Sequence, residues 1–167
     1  MGLKMSVVLG ADSYLFPDKF TESMQYNSQV GHFPPNATKY SPLVHELGHY
    51  TSFVALMKNK GMSSTLIWEP SNDAMFASLL DDFNVGTFSK KLIEEAYDAY
   101  LRDGNPRMEF DEWRSTISGY AMAKDKQGLY IYDETIAESL HDYYLNGNNA
   151  KPASKYIVNT LKKHVEG

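Results

Sequence analysis

The sequence predicts a helix-rich α+β domain with a small sheet near the N-terminus. Three observations lead there. The chain has 167 residues, the length of one domain spanning 1–167, and can bury roughly two thirds of its unfolded surface without staples. Apolar residues recur at helical spacing in several segments bounded by start and stop signals. Two short extended runs precede the first strong helix.

The elements follow in order. Met5 to Leu9 is apolar and β-branched, ends at Gly10, and reads as a strand. Gln29 to Phe33 is a second extended segment, closed by Pro34-Pro35. The first strong helix starts at Ser41-Pro42, with Ser41 as cap and Pro42 at a position that needs no N–H. Its apolar stripe is Leu43, Val44, Leu47, Val54 and Met57, and Asn59 and Gly61 stop it. Further helices are expected over Asn72 to Phe83, Ser89 to Leu101, Asp111 to Ala123, Asp133 to Leu145 and Ser154 to Val165. Lys124 to Gly128 reads as a charged turn and Leu129 to Tyr132 as a brief extended piece. Trp68 and Trp113 are expected to pack, and Lys162-Lys163 complements a helix C-terminus.

Composition narrows the function classes. Hydrophobic residues make up 43% and charged residues 22% of the chain, which argues against disorder. Lys and Arg number 16 against 21 Asp and Glu, for a formal charge of −5. An acidic chain without a basic run is a poor partner for nucleic acid. The absence of cysteine removes disulfides, thiol nucleophiles and Cys-based zinc fingers. No apolar run reaches the ~18 residues of a membrane span, so no membrane partner is expected. The opening residues hold too short an apolar core for a secretory signal, so a cytoplasmic or phage-associated setting is expected.

His45-Glu46-Leu47-Gly48-His49 carries the chemistry. Two histidines four apart on a helix share one face, one turn apart, and their neutral rings suit Zn²⁺. Glu46 lies beside that face, within reach of a metal-bound water. A catalytic zinc needs a third protein ligand. A histidine ten residues past the first is ruled out, because that position is Ala55 and the expected glycine is Ser52. His32, His141 and His164 do not have that spacing either, which points to a carboxylate. Asp133-Glu134-Thr135-Ile136-Ala137-Glu138 offers two, Glu134 and Glu138, one turn apart on one helix face. Ala137 is small enough to let this helix approach the first closely.

Together, His45-Glu46-x-x-His49 and Glu134-x-x-Ala137-Glu138 resemble the gluzincin metallopeptidases. The likeness is greatest to the lethal-factor-like group, which includes Pro-Pro endopeptidases and peptidase-like domains of phage head proteins. The resemblance implies a zincin-like fold built on the first helix, with Glu134 as zinc ligand and Glu138 as hydrogen-bond partner of a ligand histidine. It also implies an oxyanion-stabilising tyrosine before the second motif. Ser118-Gly119-Tyr120-Ala121 matches its context, while Tyr130 and Tyr132 lie nearer to Glu134 in sequence. His141, seven past Glu134 on the same face, either neighbours the site or is an exposed helix residue. His32 either lines the cleft or sits on the surface. The expected function is a zinc-dependent endopeptidase whose extended substrate pairs with a sheet edge at Gln29 to Phe33. The rival is a phage-associated structural or binding module that keeps zinc for stability. Glu46 separates the two, because a purely structural site has no use for a base there.

Overall fold

The computed structural model describes residues 15–63 and 73–166. Among them the chain forms seven α-helices: α1 Pro17–Gln29, α2 Ser41–Asn59, α3 Asp73–Val85, α4 Thr87–Arg102, α5 Phe110–Ser115, α6 Tyr132–Asn146 and α7 Pro152–Glu166. Short 3₁₀ turns cover Tyr120–Met122 and Gly147–Asn149. The described residues contain no strand, so their architecture is all-helical and the expected α+β fold with an N-terminal sheet is not what they form. Met5 to Leu9 and Trp68 lie outside the described residues.

The expected strand at Gln29 to Phe33 is instead the end of α1 and a turn. Pro17 sits in the first turn of α1 with Asp18 beside it, a start signal that outweighs the short apolar run after it. At the far end the backbone bonds locally. His32 N and Phe33 N both donate to Asn27 O, and Gly31 takes a φ of 75°. The carbonyls of Gly31 and His32 accept the N–H groups of Gly119 and Tyr120 at 2.7 and 3.0 Å. These groups are therefore spent within the fold, and no free edge is offered to a substrate strand. The extended piece at Leu129 to Tyr132 reduces to one antiparallel bridge between Lys124 and Tyr130, and Tyr132 already opens α6.

The helix expected over Asp111 to Ala123 also breaks early. It ends at Ser115, where the hydroxyls of Ser115 and Thr116 bond back to the carbonyls of Glu112 and Trp113. Ser118 then turns inward toward α6. At the start of α2, Pro42 takes its place in the first turn. Ser41 does not cap the helix, because its hydroxyl accepts the N–H of Thr38.

The main core gathers Ala55 of α2, Leu92, Ile93 and Ala96 of α4, Trp113, Ile136 of α6, and Ile157 and Leu161 of α7. Phe53, Met57, Phe76 and Leu79 form a second cluster between α2 and α3. Helices α2 and α6 run antiparallel, as pairing of residues 45 and 49 with 138 and 133 requires. They meet at Gly48 and Ala137. A Cβ at Gly48 would lie 2.6 Å from the Ala137 Cα, a backbone atom that cannot yield alone.

Gly48→Ala sets two effects against each other. Alanine gains up to about 1 kcal/mol in helix propensity, whereas forcing apart two packed helices costs about 1–3 kcal/mol. The expected result is a net loss of stability in denaturant unfolding. A gain would show that the helices separate freely at this point.

Candidate metal centre

The antiparallel contact of α2 and α6 places three ligand atoms in a triangle. His45 Nε2 lies 3.1 Å from His49 Nε2. Glu134 Oε2 lies 3.0 Å from the first and 3.5 Å from the second. A tetrahedral site with bonds of ~2.0–2.1 Å has ligand–ligand edges of about 3.3 Å. The triangle therefore has the dimensions of one face of a zinc tetrahedron, and the three residues form a group able to hold a metal ion. Glu134 Oε2 is also buried, facing the two imidazole nitrogens and no other partner among the described residues. A buried carboxylate oxygen left in that state fits a site meant for a cation.

The other nitrogen of each ring faces a carboxylate. His45 Nδ1 donates to Glu138 Oε1 at 2.8 Å, and His49 Nδ1 donates to Asp133 Oδ2. This fixes each tautomer with its hydrogen on Nδ1 and turns the Nε2 lone pairs to the centre of the triangle. Glu138 is held in turn by Ser118, whose hydroxyl donates to Oε2 at 2.6 Å. Asp133 Oδ1 accepts the hydroxyls of Ser52 at 2.6 Å and Ser89 at 3.2 Å. The Ser89 bond ties α4 to the site.

Burial pulls the two imidazoles down, but the carboxylates prevail. Glu134 and Glu138 raise His45 to about 9. Asp133 and Glu134 raise His49 to about 10. Burial would lift Glu134, yet His45 and His49 hold it near 2. Glu138 is also lowered, with His141, His45 and Ser118 outweighing its burial. A metal binds these nitrogens only in their unprotonated form, so protons and metal compete for the site.

Glu46 is exposed and opens onto a cleft of 260 Å³ that His45, Tyr120 and His141 also line. The Tyr120 ring packs 5.5 Å from that of His45. Burial, with the carboxylates of Glu134, Glu138 and Glu46, raises its phenol above the ordinary value, so it remains an O–H donor. Its turn is clamped on three sides: by the carbonyls of Gly31 and His32, by the Ser118–Glu138 bond, and by Thr135, whose hydroxyl donates to Ala121 O. Tyr130 and Tyr132 stack instead on the guanidinium of buried Arg114, 4.8 and 4.5 Å from their ring centres. They line a second concavity of 410 Å³ on the His49 side, with Glu134 in its wall.

His32 is exposed and packs edge-on against Tyr120. His141 is buried beside Glu138 and is not an exposed helix residue. Asp133 escaped sequence reasoning altogether. Its signal was its distance from Glu138: five residues, rather more than one turn, back along a helix antiparallel to α2, which brings it to His49 where Glu138 meets His45. No family model, curated protein or solved structure matches this chain.

Proposed function

We propose that the chain is a zinc-dependent endopeptidase. The observation that carries this reading is the Nε2–Nε2–Oε2 triangle with tetrahedral edge lengths, each ring backed by its own carboxylate. Glu46 and Tyr120 on the rim of the adjoining cleft supply what a merely structural site would lack. Zinc held by His45, His49 and Glu134 would supply a Lewis acid and lower the pKa of a bound water to about 7.

The remaining roles belong to the chain's own residues. Glu46 takes a proton from the water that attacks the scissile carbonyl and delivers it to the leaving amine. The Tyr120 O–H donates to the carbonyl oxygen as negative charge builds there. Glu138 and Asp133 keep both imidazoles oriented throughout. The two concavities flank the triad, one on the His45 side and one on the His49 side. A peptide lying extended across the triad would reach both.

The test has two steps. Protein purified without chelator is expected to carry, or to take up on titration, about one zinc per chain. A mixed peptide library digested with that protein, and read by mass spectrometry, is then expected to show internal cleavage that chelator abolishes. No zinc uptake would remove the site. Zinc without cleavage would favour a binding module with a structural metal.

A further inference from the structure

One wall of the cleft beside the triad is an imidazole with a buried nitrogen that has no partner among the described residues. His141 is 1% exposed. Its Nδ1 lies 3.2 Å from Glu138 Oε1, while its Nε2 is buried with no hydrogen-bond partner among the described residues. Leaving such a nitrogen unpaired costs about 1–3 kcal/mol. Orphaned buried groups of this kind are uncommon and call for a partner from outside the fold.

The same imidazole lines the 260 Å³ cleft, whose other walls include Met24, Phe33, Pro42 and Tyr120. Glu46 and Tyr120 stand on the rim of this cleft, and its apolar and aromatic walls with one buried, unpaired nitrogen make a side-chain pocket with a directional contact of its own. An apolar cavity of about 150 Å³ holds a benzene ring, so this cleft has room for a substituted ring. Glu138 also accepts from His45 and Ser118. With the His141 hydrogen on Nδ1, facing that carboxylate, Nε2 presents a lone pair. A hydroxyl can donate to it, whereas a phenyl or aliphatic tip leaves it bare. An acidic tip would meet Glu46 and Glu138 in the same lining. A phenol ring satisfies both demands, with carbons for the walls and one O–H for Nε2.

We propose that this cleft selects a tyrosine side chain next to the scissile bond, and that His141 is the residue that reads its hydroxyl. The proposal rests on the peptidase reading. Once the library has shown which bond is cut, paired peptides are made that differ only by Tyr or Phe on either side of it. On one side, tyrosine is expected to raise kcat/KM roughly 5- to 150-fold over phenylalanine, the range set by one unpaired buried group. His141→Phe is expected to bring that ratio to one or below, and because the ratio compares two peptides on the same protein, any loss of zinc through Glu138 cancels from it. Equal cleavage of the paired peptides by the parent protein, or a preference for an aliphatic residue, would overturn the role of His141 and leave the peptidase reading standing. Absence of cleavage of any peptide would overturn both. If His141→Phe does not fold, the parent ratio alone decides.

Discussion

Glu134→Ala is expected to abolish tight zinc binding, the largest effect on metal affinity of any carboxylate substitution in the site. Its Oε2 is the third corner of the triangle, 3.0 and 3.5 Å from the two imidazole nitrogens. Without it the two histidines alone cannot complete the three-ligand set of a catalytic zinc. Glu138→Ala and Asp133→Ala act one step further out. Each frees an imidazole to rotate or to change tautomer, and such losses typically cost about 10- to 100-fold in metal affinity or activity. Competitive zinc titration of the three variants should therefore rank Glu134→Ala far below the other two, which should still bind detectably. Glu138→Ala abolishing binding while Glu134→Ala retains it would make Glu138 the ligand. Equal, small effects from Asp133→Ala and Glu134→Ala would dissolve the triangle as a metal site.

Glu46→Gln is expected to leave zinc and fold intact while reducing turnover about 10²- to 10⁴-fold, the usual worth of a positioned general base. The change keeps shape and removes the proton acceptor. Glu46 is exposed, and exposed substitutions away from structural features usually shift stability by no more than about 0.5 kcal/mol. A fall in kcat with unchanged zinc content and unfolding midpoint is the expected signature. Turnover equal to the parent would remove Glu46 from the mechanism. Loss of zinc in this variant would instead mean that Glu46 helps to hold the metal.

The sequence alone determined what depends on short spacing. His45 and His49 share a face because α2 is helical across them. Glu134 and Glu138 share one because α6 is helical across them, and Pro42 marks the first turn of α2. Those periodicities are local, so a run of a few residues suffices to express them. The small residue at Ala137 also signalled a close helix approach, which meets Gly48 on the other side.

Tertiary structure decided the rest, because it rested on contacts far apart in the chain. Gln29 to Phe33 reads as a strand only if a partner strand exists; here α1 runs through Gln29, and the turn after it lends its carbonyls to Gly119 and Tyr120. The helix after Asp111 stops at Ser115, and the Ser118 hydroxyl bonds to Glu138 on another helix. Asp133 became the partner of His49, 84 residues away in sequence, through the antiparallel register of α2 and α6, which no single segment encodes. His141 was an ambiguous helix residue until α6 packed and buried its ring, leaving Nε2 unpaired. Helical periodicity is written in neighbours along the chain, whereas pairing and burial are set by whichever distant surfaces remove the most apolar area from water.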